Sequence, residues 1–124
     1  MIVLATVPHT GTSFFRDLLR QHFRPYRDFI VRHVHDDVFA DLDNRTVVTT
    51  IRDDEDVRRS HIKRGENPGA LEGYWRNWDR VVAEYDPIIV SVDAVDRDAR
   101  LDNLSEALGV EFETDWAPVN AWTD

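Results

Sequence analysis

The chain has 124 residues, a formal net charge of −9 at pH 7 and no cysteine. A chain of this length supports one hydrophobic core, so we expect a single domain over residues 1–124. The acidic balance argues against a nucleic-acid binder, and the lack of cysteine excludes a disulfide framework. The sequence shows neither a long apolar run nor a basic leader, so we expect a cytoplasmic protein without membrane insertion.

The first predicted elements are a buried strand over Ile2–Val7, a tight turn over Pro8–Gly11 and a helix over Thr12–Phe23. The first turn of a helix leaves N–H groups without partners and carries partial positive charge, so an anion can be held there by main chain. Gly11 permits close approach of the backbone. In addition to the backbone N–H groups, hydroxyl donors are available from Thr10, Thr12 and Ser13. An ordinary helix cap explains the same residues equally well, and without the GxxxxGK pattern ordinary ATP or GTP hydrolysis is disfavoured.

The next segment reads FIVRHVHDD and contains His33 and His35. If this segment forms a strand that extends to His35, both side chains lie on one face and can point into the same cleft. The spacing His-x-His followed by Asp also resembles a metal site. However, the fuller HxHxDH pattern has Val38 where a histidine is required, and the other histidines are scattered along the sequence. We therefore expect no metal ion.

The third predicted strand, Arg45–Ile51, leads into Arg52 and a helix that reads DEDVRRSHIKR and carries Ser60. Arg52 and Ser60 are eight positions apart, so a guanidinium at the strand end and a hydroxyl two helical turns later can converge on one anion. Considered without the first turn, the pair is better explained as an arginine at a strand end and a surface serine.

The remaining pattern predicts a short helix over Asp36–Leu42, a turn over Glu66–Gly69, a helix over Ala70–Tyr85, a buried strand over Pro87–Val92 and a helix over Arg100–Leu108 that Gly109 ends. Strands that alternate with helices predict an α/β protein, with a three-layer α/β/α arrangement and a mainly parallel sheet covered on both faces.

In this order, the segments PHTGTSF and RDDEDVRRS resemble the two nucleotide-binding elements of the sulfotransferases that use 3′-phosphoadenosine 5′-phosphosulfate (PAPS). In that family a PKSGTTW-type loop holds the 5′-phosphosulfate, and an R-x7-S element holds the 3′-phosphate. The matching positions are Pro8, Gly11 and Thr12 in the first segment and Arg52, Asp56, Val57 and Ser60 in the second. The later segment over residues 78–110 also resembles the helix, strand and closing helix of the family. The resemblance implies a P-loop NTPase-like fold of the sulfotransferase type.

The resemblance also implies roles for individual residues. The 5′-phosphosulfate is assigned to Thr10, Gly11, Thr12 and Ser13, the 3′-phosphate to Arg52 and Ser60, and adenine stacking to Phe14. His9 stands at the position of a family lysine beside the leaving phosphate, and its charge depends on pH unless Arg32, Lys63 or Arg64 supplies the charge instead. Either His33 or His35 is expected to be the base that takes the proton of the acceptor, and the sequence does not choose between them.

The function implied is the metal-independent transfer of a sulfuryl group from PAPS to a hydroxyl or amine acceptor of unknown identity. One alternative is a protein that binds PAPS or its product without catalysis, favoured by His9 and by the lack of an RKG-like segment after Gly109. The other is a small P-loop phosphotransferase, which the missing Gly-Lys pair disfavours. The long insertions that form the acceptor pocket in the family are also missing, so we expect a large acceptor or the second subunit of a homo-oligomer to complete an open cleft.

Overall fold

Four parallel strands form the sheet in a computed structural model that describes residues 1–123. The strands are β1 (Ile2–Thr6), β2 (Phe29–His33), β3 (Thr46–Ile51) and β4 (Ile88–Ser91). The α-helices are α1 (Thr12–Leu19), α2 (Asp54–Lys63), α3 (Leu71–Tyr85), α4 (Arg97–Leu108) and α5 (Ala117–Asn120). Short 3₁₀ helices cover Val38–Asp41, Pro68–Ala70 and Ala121–Thr123.

The strand order is β2-β1-β3-β4, and every neighbouring pair is parallel. In the centre of the sheet, Leu4 of β1 lies opposite Val31 of β2 on one side and Val48 of β3 on the other. The chain leaves β1 toward β2 and later returns to the other side of β1 as β3, so the order reverses between β1 and β3. Ligands of open α/β sheets bind outside the carboxyl ends of the strands at such a reversal.

A separate hydrophobic core lies on each face of the sheet. Ile2 and Leu4 of β1 pack on one face with apolar residues of α1, α4 and α5. Val3 and Ala5 pack on the opposite face with apolar residues of α2 and α3. The alternation follows from the two-residue period of a strand, and the five residues of β1 are all buried because both faces are covered. The predicted α/β class with a parallel sheet is confirmed.

Several helix boundaries differ from the prediction. The first helix was expected to reach Phe23 but ends at Leu19, because residues 20–22 continue as tighter turns in which Gln21 N–H bonds to the carbonyl of Leu18. The helix expected over Asp36–Leu42 is only a single 3₁₀ turn. The fourth helix begins at Arg97, earlier than predicted, and Gly109 ends it in the left-handed conformation with φ of 69° as expected.

Within residues 1–123, no helix is both long enough and apolar enough to pass through a lipid bilayer.

Candidate anion site at the carboxyl edge of the sheet

The loop after β1 brings the backbone of Gly11 close to the last strand. Gly11 has a φ of 93°, and a Cβ atom there would lie 2.7 Å from Cγ1 of Val92. The position therefore requires glycine for both conformation and space. No side chain caps α1, whereas the carboxylate of Asp53 caps α2 by accepting from the N–H of Asp56 at 3.2 Å. The first turn of α1 is thus free of the cap that the alternative interpretation required.

Two of the three hydroxyls assigned to the ligand hold the loop together instead. The Thr10 hydroxyl is buried, donates to the carbonyl of Val7 at 2.6 Å and shares a second hydrogen bond with the Thr50 hydroxyl. The Thr12 hydroxyl donates to that of Thr6 at 2.9 Å. Ser13 is exposed. A ligand at this turn can therefore bind the Ser13 hydroxyl, whereas at the two threonines the group left to donate is the backbone N–H.

Arg52 and Ser60 both reach the loop after β1, and they meet at His9. The Nη1 atom of Arg52 donates to the carbonyl of His9 at 2.9 Å, and the Oγ atom of Ser60 lies 3.2 Å from Nδ1 of His9. Arg52 directly follows the carboxyl end of β3 and is only 8% exposed, because Trp122 of the last 3₁₀ helix lies over its guanidinium. The structure thus brings together the two segments that the sequence analysis singled out.

The end of the described chain covers part of this region with two tryptophans. Trp116 stacks on Phe14, with ring centroids 5.1 Å apart and planes inclined by 22°. Trp122 lies over the guanidinium of Arg52 at 5.5 Å. Beside Trp122 is a small cavity of about 110 Å³ whose lining includes Arg52 and Arg97. One face of Phe14, the ring assigned to adenine, is therefore covered by protein.

Asp93 lies beside Arg52 and was not singled out from the sequence. Its carboxylate accepts a hydrogen bond from the N–H of Asp53 at 2.8 Å. Burial raises the pKa of the Asp93 carboxyl, and the charges of Asp53 and Asp56 act in the same direction, while the Asp53 N–H and the charge of Arg52 oppose them. Its position just after β4, at the carboxyl edge of the sheet, is the signal that could have identified it.

His33 and His35 lie side by side at the end of β2. The strand ends at His33, and the two ring centroids are 6.2 Å apart. Both rings approach Tyr74, at 6.4 Å for His33 and 5.1 Å for His35. His35 and Tyr74 also line an open cavity of about 550 Å³ that runs along α3. The predicted proximity of the two histidines is therefore observed.

The surroundings of His33 favour the neutral form of its ring. His33 is exposed overall, but partial desolvation of its ring lowers its pKa, and the nearby His35 adds to this shift while the Glu66 carboxylate opposes it. A ring with a lowered pKa is neutral at pH 7 and can accept a proton.

Two of the residues that could replace the charge of the family lysine, Arg32 and Arg64, have different surroundings. The Nε atom of Arg32 is 3.3 Å from a carboxylate oxygen of Asp41, so this guanidinium pairs with an acidic group of the 3₁₀ helix over Val38–Asp41. Arg64 is close enough for its charge to lower the pKa of His9. Burial is the larger cause of that lowered pKa, and Glu66 opposes it. His9 therefore does not carry the permanent charge of a lysine.

The grouping of His9 with His61 and Glu66 is a feature that sequence reasoning missed. The histidines were expected to be scattered, but the rings of His9 and His61 are 5.1 Å apart and nearly perpendicular. Glu66 lies 3.3 Å from Nε2 of His9 through one oxygen and 3.1 Å from Nδ1 of His61 through the other. His9 is more than fifty positions from the other two residues, so no local pattern indicates the contact.

A search among known protein families, curated proteins and solved structures finds no match to this chain.

Proposed function

We propose that the chain binds PAPS across the β1–α1 and β3–α2 junctions and transfers its sulfuryl group to a hydroxyl or amine acceptor. The observation that carries the proposal is the buried guanidinium of Arg52. It donates to the loop carbonyl of His9 at 2.9 Å, and in the described part of the chain it forms no ion pair with a carboxylate. The Asp93 carboxylate interacts with this guanidinium electrostatically but lies beyond ion-pair distance. Buried charges are normally paired, so an anionic ligand can be the direct partner of this guanidinium.

The two ends of the ligand would use different kinds of donor. The uncapped first turn of α1 and the exposed Ser13 hydroxyl suit the 5′-phosphosulfate. The remaining N–H groups of Arg52 and the Ser60 hydroxyl suit the 3′-phosphate, and Arg97 lines the adjoining cavity. The P-loop-like character of the fold belongs to the same proposal, because it rests on the resemblance of these two junctions.

In the proposed reaction the acceptor attacks sulfur opposite the bridging oxygen. A bond forms between the acceptor atom and sulfur, and the bond from sulfur to the bridging oxygen breaks, so that adenosine 3′,5′-bisphosphate leaves with the electron pair. His33 takes the proton of the acceptor, which its lowered pKa permits at neutral pH. The N–H groups of the first turn of α1 stabilise the charge that develops on the leaving phosphate.

Calorimetric titration with adenosine 3′,5′-bisphosphate and with ATP tests the binding step. We expect the bisphosphate to bind more tightly than ATP, and Arg52→Ala to weaken its binding at least about tenfold, because hydrogen bonds to charged groups contribute about 1.5–3 kcal/mol. Arg58→Ala, which removes an exposed arginine of α2, is the matched control. A chain that binds the bisphosphate no better than ATP would overturn the proposal and favour the phosphotransferase alternative.

A non-catalytic binding protein remains the second candidate, and two observations favour it. Burial keeps His9 from carrying a permanent charge, and Trp116 covers one face of Phe14. Transfer of labelled sulfate from PAPS to a panel of hydroxyl and amine acceptors separates the candidates. Tight bisphosphate binding without transfer to any of them would identify a binding protein.

A further inference from the structure

A cluster of three side chains, which we call the histidine–glutamate cluster, consists of His9, His61 and Glu66. One ring nitrogen of each histidine faces the carboxylate. All three ligand atoms lie within 4.8 Å of one another. The Nε2 atom of His9 and the Nδ1 atom of His61 are buried and have no hydrogen-bond partner among the described residues. The side chain of His61 is 3% exposed, and that of His9 is 7% exposed.

The hydrogen bond on the side of each ring away from Glu66 determines whether an N–H group or a lone pair faces the carboxylate. The Nε2 atom of His61 lies 3.0 Å from the carbonyl of Asn67, which can only accept, so Nε2 carries the proton. In the neutral ring, Nδ1 then presents a lone pair to a carboxylate oxygen 3.1 Å away. Two acceptors at this distance repel each other unless a proton or a metal ion lies between them.

His9 can adopt the same arrangement from the other side of the carboxylate, because the Ser60 hydroxyl can accept a hydrogen bond from Nδ1. Its Nδ1 atom is within hydrogen-bond distance of Ser60, and its Nε2 atom lies 3.3 Å from Glu66. A ring held by a hydrogen bond through one nitrogen and open at the other is the usual arrangement of a metal-binding histidine. The cluster can adopt this arrangement twice, with a carboxylate between the two free nitrogens.

We propose that the histidine–glutamate cluster binds one zinc ion through Nε2 of His9, Nδ1 of His61 and the carboxylate of Glu66. Tetrahedral zinc with bonds of about 2.0–2.2 Å places its ligand atoms about 3.3–3.6 Å apart. Each histidine nitrogen is near this distance from one oxygen of Glu66, 3.3 Å for His9 and 3.1 Å for His61. The two oxygens differ, so the side chains must shift slightly for one ion to bind both nitrogens and the carboxylate. Two imidazoles and one carboxylate suit zinc, and a water can complete the site on the exposed side of Glu66, which is 43% exposed.

The ion would connect three parts of the chain that are distant in sequence: the loop after β1, the end of α2 and the segment that follows α2. Its charge would lie where the sulfotransferase resemblance places a lysine. The proposal does not depend on sulfuryl transfer, because zinc binding can be measured without nucleotide or acceptor.

The test is calorimetric titration of the full chain, freed of metal with a chelator, with zinc chloride. We expect one zinc ion per chain, and both Glu66→Gln and His61→Gln should weaken binding at least about tenfold. Glu72→Gln and His22→Gln replace exposed residues of the same types elsewhere and should bind zinc as the wild type does. Cobalt(II) should give the visible absorption of a four-coordinate site in the wild type and in these two controls, but not in Glu66→Gln or His61→Gln.

The controls keep folding and metal binding separate. Glu66 is exposed, so the zinc-free Glu66→Gln protein should melt at the wild-type temperature, while zinc should raise the melting temperature of the wild type alone. Wild-type affinity in the Glu66→Gln and His61→Gln proteins, or no saturable zinc binding, would overturn the proposal. Loss of binding in His35→Gln with retention in Glu66→Gln would also overturn it, because the metal would then lie at the end of β2.

Discussion

At the scale of single residues, Gly11 and Arg52 determine the shape of the candidate anion site. Gly11 adopts a backbone conformation that side chains disfavour, and it approaches Val92 of the segment after β4. Arg52 holds the same loop from the other side by donating to His9. The loop is therefore held between β3 and the end of β4, which leaves the first turn of α1 at the carboxyl edge of the sheet.

Gly11→Ala should lower the free energy of unfolding, and Gly65→Ala is a matched control. Both glycines have positive φ, 93° and 75°, but only at Gly11 would the added Cβ meet another atom within 3 Å. We expect Gly65→Ala to cost about 1–2 kcal/mol from backbone strain, and Gly11→Ala to cost more because Val92 must also move. Urea denaturation measures both values, and equal losses would contradict the close approach at Gly11.

The pH dependence of sulfate transfer should identify the base. The pKa of His33 is lowered by desolvation and by His35, with Glu66 opposing and the Tyr74 ring alongside. As pH falls through this lowered pKa, His33 becomes protonated and can no longer accept a proton, so the rate should fall along an acid limb centred below about pH 6.5. At higher pH the rate should reach a plateau.

The variants His33→Ala and His35→Ala complete this test. His33→Ala should lower the rate about 100-fold or more and remove the acid limb, with bisphosphate binding retained. His35→Ala should keep the limb but move it toward higher pH, because a neighbouring ring that disfavours protonation of His33 is lost. An unchanged profile in His33→Ala, with the limb lost in His35→Ala, would transfer the role to His35.

At the scale of elements, α5 and the 3₁₀ helix after it cover the candidate site. Val119 of α5 is buried in the core beside α1 and α4, which attaches this segment to the sheet. From there Trp116 stacks on Phe14, and Trp122 lies over Arg52. Helix α5 begins with a proline in its first turn, the usual helix-start signal, but no apolar periodicity accompanied it in the sequence.

Trp122→Ala should strengthen the binding of adenosine 3′,5′-bisphosphate. The ring must move from the guanidinium before a phosphate can approach from that side, and its contact with the cation contributes about 0.5–1 kcal/mol, which corresponds to a few-fold gain in affinity. Stability should change little because Trp122 is 43% exposed. Tyr26→Ala, at a ring that is 88% exposed, is the control. Weaker binding in Trp122→Ala would show instead that the ring contributes to the ligand site.

At the scale of the whole molecule, the chain carries a net charge of −9, and some of its acidic residues lie beside the junction of β3 and α2. Acidic residues cluster at the start of α2, where Asp54, Glu55 and Asp56 occupy the first turn. They interact favourably with the helix dipole there, but like charges in close proximity repel one another. The fold therefore places these three acidic residues next to the junction that carries Arg52.

Raising the salt concentration should stabilise the protein. Increasing sodium chloride from 20 to 300 mM shortens the screening length and weakens repulsion among the acidic groups, so the melting temperature should rise by a few degrees. Arg52→Ala should show the same rise, which separates general screening from chloride binding at the anion site. A melting temperature that falls with salt would show that attractive ion pairs outweigh the repulsion.

Hydrophobic periodicity and turn residues alone determined the parallel α/β class, three of the four strands within one or two residues, and the two strand-to-helix junctions. These depend on interactions between neighbours in the chain, which the sequence displays directly. The spacing of Arg52 and Ser60 also indicated that they reach a common point, because a strand followed by a helix has a known rise per residue.

Only the tertiary structure decided which distant side chains meet. The contact of His9 with His61 and Glu66 and the cover of Arg52 by Trp122 depend on how the loops at the carboxyl edge of the sheet pack against one another. The hydroxyl of Thr10 was expected to face a ligand, but it holds its own loop because Thr50 lies beside it on β3. Such contacts join residues 40 or more positions apart, and local patterns carry no information about them.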